Sequence, residues 1–346
     1  MSSTAEDPVM ERLRAALARL GPDVLLLTHH YQRAGIVALG HRVGDSYELA
    51  RAAAENQNAR TIVFCGVRFM AEAAEVLRRE DQRVVHPEPL AGCPMADMAD
   101  EGQADSAWRA LAAAGAADTV PVVYMNSSAA LKAWVGERGG CVCTSSNAQR
   151  AFEWALSRAP RLLFFPDEHL GRNTARRLGM ADAEMVLWDP AASGGGVSPE
   201  ALARARVVLW KGFCHVHTAF TVAQVRAARD RWPGARVLVH PECLSEVVQA
   251  ADGAGSTSFL VRAVAEADPG STLVIGTEIN LISRLAAQYP DRTVLPLHRS
   301  LCPNMYRLSP EKLLETLENL DAQPPVELPA HINASAKLAL QRMLEL

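Results

Sequence analysis

A short apolar run, closed by a tight polar cluster and followed by a helical stretch, recurs along this chain and limits the fold more than any other feature. Val24–Leu27, Thr61–Cys65, Arg83–His86, Val120–Tyr124, Arg161–Phe165, Val207–Trp210, Arg236–Val239, Thr272–Ile275 and Thr293–Leu297 are such runs, with a shorter one at Val142. Runs this short, apolar through their middle and without polar alternation, are the pattern of strands buried on both faces, as in parallel sheets. Helical periodicity fills the intervals at Met10–Leu20, Tyr47–Asn56, Phe69–Arg79, Ser106–Ala114, Ala148–Ser157, Val222–Arg231, Phe259–Ala265, Ile282–Gln288 and Pro310–Leu320, and near Ser335–Leu344. Parallel strands need such helical crossovers, and these are right-handed.

The pattern passes along the chain three times, and each pass closes on a cysteine. Cys93 lies in Ala-Gly-Cys-Pro-Met-Ala-Asp, Cys214 in Gly-Phe-Cys-His-Val-His and Cys302 in Ser-Leu-Cys-Pro-Asn-Met. The expectation is an α/β protein of three similar αβα domains with parallel sheets. They would span 1–98 with an N-terminal helix, 99–217, and 218–346 with the C-terminal helices. A chain of 346 residues is long enough for each to bury a core.

Charge and composition remove several function classes. A formal net charge of −4 gives no basic surface for nucleic acid or anionic membranes. No apolar run approaches the ~18 residues of a membrane helix. Met1–Pro8 carries acids and no apolar leader core, so the expectation is a cytoplasmic protein. Seven cysteines, an odd number without C-x-x-C pairs, do not form a disulfide framework. Cys65, Cys141 and Cys243 read as small buried hydrophobes.

The polar clusters that end the runs carry the chemistry: His29-His30-Tyr31-Gln32, Gly44-Asp45-Ser46, Asn126-Ser127-Ser128, Thr144-Ser145-Ser146-Asn147, Pro166-Asp167-Glu168-His169, His240-Pro241-Glu242, Gly255-Ser256-Thr257-Ser258 and Gly276-Thr277-Glu278. In open parallel sheets the strands' carboxyl ends and the following helix N-termini face the ligand crevice, where free N–H groups attract anions. Helix capping alone explains Ser46, Ser128 and Ser256. It does not explain His29, Tyr31, Tyr124, His240 or Glu242. If the modules converge, these residues line a cavity suited to small, multiply anionic molecules. Three thiolates at its floor would leave a metal one open coordination position, as in catalytic sites. Soft thiolates suit zinc and an iron–sulfur cluster alike, and His215 and His217 stand near enough in sequence to serve as zinc ligands.

The ordered set His29-x-Tyr31-Gln32, Gly44-Asp45-Ser46, Gly66-Val67-x-Phe69-Met70-Ala71-Glu72, Cys93-Pro94-Met95-Ala96, Tyr124-x-Asn126-Ser127, Cys143-Thr144-Ser145, Pro166-Asp167-x-His169-Leu170-Gly171, Cys214-x-Val216-His217, His240-Pro241-Glu242-Cys243, Gly255-Ser256-Thr257, Ile275-Gly276-Thr277-Glu278 and Cys302-Pro303-x-Met305 resembles the quinolinate synthase family over nearly the whole chain. The resemblance implies three αβα domains around a pseudo-threefold axis, with a 4Fe–4S cluster in the central cavity. Cys93, Cys214 and Cys302 would be its ligands, and the fourth iron would stay open as a Lewis acid. It implies condensation of iminoaspartate with dihydroxyacetone phosphate to quinolinate, phosphate and water in NAD biosynthesis. The iminoaspartate would come from a partner L-aspartate oxidase or dehydrogenase. By the same resemblance, substrate is bound by His29, Ser46, Tyr124, Asn126, Ser145, His240, Glu242 and Thr257. Tyr31 and Glu242, with His29, would be the acid–base groups, Glu242 with a carboxyl pKa raised by a dry cavity.

Two departures stand out. Some members carry C-x-x-C-x-x-C-P at the third ligand, where this chain has Cys302 alone, and Ala181–Ser198, Gly-rich towards its end, matches no motif. Diphthamide-type radical enzymes, which also set one cysteine from each of three domains around a cluster, are the nearest rival. An iron–sulfur sensor or electron carrier is the rival of another class.

Overall fold

A computed structural model describes residues 7–346; most of the acidic N-terminal segment read above, Met1–Glu6, lies outside them. Three separate sheets form among these residues, all with parallel strands. The first comprises β1 (Val24–His29), β2 (Arg42–Gly44), β3 (Thr61–Cys65) and β4 (Arg83–Val85) in the order β2-β1-β3-β4. The second comprises β5 (Thr119–Tyr124), β6 (Cys141–Cys143), β7 (Arg161–Phe165), β8 (Met185–Trp188) and β9 (Val207–Trp210), ordered β6-β5-β7-β9-β8. The third comprises β10 (Arg236–Val239), β11 (Gly253–Ala254), β12 (Thr272–Gly276) and β13 (Thr293–Pro296), ordered β11-β10-β12-β13. Without β8, all three sheets share one strand order, so the chain repeats a topology three times, as its periodicity predicts.

β8 accounts for the unassigned Ala181–Ser198 stretch. It adds an edge strand beside β9, in register Met185 with Val207 through Trp188 with Trp210. The glycines that follow have a physical reason. Gly195 has φ +68°, and a Cβ there would sit 2.1 Å from the Trp188 ring, so only glycine lets the loop turn back over that indole.

The central strands are sealed on both faces, with β3 and β9 buried throughout. β2 has two exposed residues of three and β11 is two residues long. Neither makes an apolar run, which is why both escape a reading by periodicity. Helices Ala34–Val37, Ala129–Glu137, Glu168–Arg177 and Pro199–Arg204 likewise lie in stretches where the periodicity above marks no helix. Caps decide the helix starts: Ser128 accepts from Leu131 N–H at 3.0 Å and Ser256 from Phe259 N–H at 3.3 Å. At Ser46 the cap is Asp45 instead, in a reciprocal box with Glu48, which leaves the Ser46 hydroxyl for another use.

The chain falls into two compact bodies, 1–92 with 301–328, and 93–300 with 329–346. In the first, helix Pro310–Glu318 packs on helix Pro8–Leu20, and Leu313 and Leu317 join Leu13, Leu17, Leu26 and Val63 in one core. In the second, helix Ala330–Glu345 lies along helix Ala129–Glu137. The two backbones approach so closely that a Cβ on Gly136 would stand 2.0 Å from Ser335 O. Helix Pro310–Glu318 thus covers a helix of the first repeat, and helix Ala330–Glu345 one of the second.

Candidate active site

Glu242 lies three residues past Val239, the last residue of β10, 2% exposed, in the loop before helix Ser245–Ala250. Tyr124, the last residue of β5 in the second sheet, donates its hydroxyl to Glu242 Oε1 in a very short hydrogen bond. Glu242 Oε2 accepts from His217 Nδ1 at 2.6 Å, and His217 Nε2 meets Thr277 Oγ1 at 3.1 Å. Ser145, two residues past β6, hydrogen-bonds Tyr124. A relay thus runs Thr277, His217, Glu242, Tyr124, Ser145, entirely within the second body. Every member but Ser145 is buried. The His240 ring stacks on His217 at 4.2 Å between centroids, 17° from parallel, and its Nδ1 accepts from Glu242 N–H at 3.3 Å.

The electrostatics correct the expectation of a raised Glu242 pKa. Burial does oppose its charge, but His217 and His240, together with the hydrogen bonds from His217 and Tyr124, outweigh it and hold the carboxyl well below the usual range. Glu242 is therefore ionised, a base rather than an acid. Burial and His217 depress His240 to about 3, with Glu242 opposing, so its ring is neutral. Burial, then the Glu242 charge, push the Tyr124 phenol well above its ordinary value.

Asp167 is a residue that sequence reasoning listed without a role. It is 0% exposed; Oδ1 accepts from Leu170 N–H at 2.6 Å, and Oδ2 has no hydrogen-bond partner. Burial and then Glu242 raise its pKa well above the carboxylate range. One carboxyl is thus kept charged and the other neutral, the arrangement by which environment separates acid from base. His217 was read only as a zinc-ligand candidate and Thr277 only as part of a cluster. Their presence in strand-end motifs was the sole available signal.

The seven cysteines divide sharply. Cys65, Cys141, Cys143 and Cys243 are buried, whereas Cys93, Cys214 and Cys302 are only half-buried. Burial raises Cys65 and Cys141 to about 12, the inert state expected of structural cysteines. The Cys214 thiol is pushed up by desolvation, then by Glu242, and then by Cys93, which is near enough for its charge to count. Sulfur of Cys214, a ring nitrogen of His217 and a carboxylate oxygen of Glu242 lie within 4.8 Å of one another. His217 has both nitrogens engaged, however, as a hydrogen-bonded ring rather than an open ligand does. His215 is exposed, its pKa lowered by burial and by His217.

The remaining sequence-predicted residues are distributed as follows. In the first body, His29 ends β1 and meets Tyr31 edge-to-face at 4.8 Å, with Tyr31 N–H donating to His29 Nδ1 at 3.1 Å. Ser46 opens the helix after β2, and Cys302 precedes helix Pro303–Arg307. In the second body, Asn126 is half-buried two residues past Tyr124, and Thr257 is a buried first residue of helix Thr257–Ala265. The hydroxyl that meets Glu242 is that of Tyr124.

The family described as quinolinate synthetase A protein matches residues 12–345. A quinolinate synthase of Corynebacterium glutamicum is 49% identical over 98% of this chain and 88% of its own length. One from Acidobacterium capsulatum is 48% identical, covering 97% of this chain and 92% of its own. One from Halobacterium salinarum is 48% identical, covering 97% and 91%. With the family model spanning the three repeats and both halves of the relay, the chain belongs to the quinolinate synthase family of enzymes.

Proposed function

We propose that this enzyme condenses iminoaspartate with dihydroxyacetone phosphate to give quinolinate, phosphate and two waters, in the cytoplasm, for NAD biosynthesis. A reaction that oxidises L-aspartate to the imine, by an oxidase or a dehydrogenase, must supply the first substrate. No helix among the described residues is long and apolar enough to cross a membrane. The reading keeps 1–98, 99–217 and 218–346 as the three repeats of the sequence. The single observation that carries it is the buried Glu242 carboxylate held between Tyr124 and His217.

In this reading Glu242 takes a proton from a carbon beside a carbonyl or imine, and returns it where a hydroxyl leaves as water. Ring formation with loss of two waters needs such transfers at each step. His217, donating through Nδ1, and Tyr124 keep the carboxylate aimed and charged. Thr277 fixes the His217 ring in turn. Asp167, neutral and buried, keeps a proton available in the same region. Tyr31 and His29 are the second acid–base group. Ser46, Asn126, Ser145, His240 and Thr257 hold phosphate and carboxylates, Ser46 and Thr257 each as the first residue of a helix, where N–H groups favour anions.

Cys93, Cys214 and Cys302 would hold a 4Fe–4S cluster. Three half-buried cysteines set apart from four sealed ones fit that role, and soft sulfur donors suit iron–sulfur chemistry. When bound, such a cluster supplies a Lewis-acidic iron towards a substrate oxygen or nitrogen.

The test uses protein purified without oxygen, with iron content and quinolinate formation measured together. Cys214→Ser should lose iron and activity, whereas Glu242→Gln should keep its iron and lose turnover by about 10²–10⁴-fold, the range for a general acid–base group. Undiminished turnover in Glu242→Gln would overturn the assignment of the base.

A further inference from the structure

Glu242 sits on a loop, and loops are mobile unless their backbone polar groups are tied down. Here the tie is one side chain from the other sheet. Asn173, on helix Glu168–Arg177 after β7, donates through Nδ2 to Pro241 O at 2.8 Å and to Cys243 O at 2.9 Å. These carbonyls belong to the residues on either side of Glu242. The peptide between them is held too, since Cys243 N–H donates to His240 O at 3.0 Å. The Cα of Glu242 therefore has fixed backbone on both sides.

The amide has no freedom to turn. Asn173 Oδ1 accepts from Ser245 Oγ at 2.5 Å, and Ser245 Oγ accepts from Arg176 Nη1 at 2.6 Å. Arg176 is itself forked onto Asp182, Nε to Oδ1 at 2.9 Å and Nη2 to Oδ2 at 2.6 Å. Two carbonyls require donors and the serine hydroxyl requires an acceptor. Only a primary amide offers two N–H groups and one oxygen in a plane of this size, whereas aspartate has no donor and serine has one. Asn173 and Ser245 are 8% and 7% exposed, so water does not replace these bonds.

We propose that Asn173, locked by Ser245 and Arg176, is the positioning residue that aims the Glu242 carboxylate at its reacting proton. The inference rests on reading Glu242 as the base. It also gives helix Glu168–Arg177 of the second repeat a task in the chemistry of the third. A misplacement of about 1 Å costs a catalytic group on the order of 10²-fold, so the effect falls on kcat while the groups that bind substrate remain.

The test compares iron-loaded Asn173→Asp, Asn173→Ala, Ser245→Ala and Ser245→Thr with the parent. Asn173→Asp sets an oxygen against two carbonyls. It should lower kcat by about 10²-fold with KM changed by less than about threefold and iron content unchanged. Ser245→Ala should lose about tenfold, and Ser245→Thr, which keeps the hydroxyl, should recover most of it. Should Asn173→Asp not fold, the serine pair carries the test alone. Residues that act through one group are non-additive, so adding Asn173→Asp to Glu242→Gln should cost little more. A parent-like kcat in Asn173→Asp, or the same 10²-fold loss in both backgrounds, would overturn the proposal. An active Glu242→Gln would instead remove the reading of the base and leave the clamp a loop anchor.

Discussion

Replacing His217 by alanine puts the assignment of the base to a quantitative test. In the native enzyme Glu242 holds a depressed pKa because His217 and His240 outweigh burial. Its charge contributes stability above the unfolded carboxyl's pKa, and that contribution is lost as pH falls through the lower folded value. The 2.6 Å bond from His217 Nδ1 is a hydrogen bond to a charged group, about 1.5–3 kcal/mol, or about 1–2 pH units. His217→Ala removes that bond and leaves burial, the largest influence, opposed only by His240 and the Tyr124 hydrogen bond. The Glu242 carboxyl should then climb. Measured with iron content held equal, kcat/KM of the variant should gain an acid limb absent from the parent and recover as pH rises. A variant whose pH profile overlays the parent's would refute the coupling. So would one that loses activity equally at every pH.

Two further outcomes follow from the same burial. In iron-free native protein, Cys93 and Cys302 should alkylate well before Cys65, Cys141, Cys143 and Cys243, as read by peptide mass spectrometry. Fast labelling of the four buried thiols would show that these strands open readily. Asp167→Asn should flatten part of the pH dependence of stability. The wild-type carboxyl stays protonated when folded but ionises when unfolded, so unfolding releases a proton and stability falls as pH rises above the unfolded value near 4. Denaturant unfolding from pH 5 to 8 should show the variant gaining on the parent, and an equal slope in both would mean that Asp167 is ionised in the fold.

Much of the architecture was legible because buried parallel strands write themselves as short apolar runs. Thr61–Cys65, Arg161–Phe165, Val207–Trp210 and Arg236–Val239 emerge with the expected bounds. Edge strands β2 and β11 were not legible, since an exposed three-residue or two-residue strand has no periodicity to read. β8 was hidden by its neighbouring glycines, which only a backbone turning over Trp188 explains.

What the sequence by itself determined is therefore the repeated βα unit, the polar residues at strand ends and the three cysteines in loops. Each is a local property, set by hydrophobicity and by which residues can end a strand or cap a helix. The tertiary structure alone decided which groups meet. Tyr124 and Glu242 are 118 residues apart and Asn173 and Pro241 are 68 apart, distances over which no sequence period carries information. It also decided the sign of the Glu242 shift, a balance between burial and the two rings that only their arrangement in space can set.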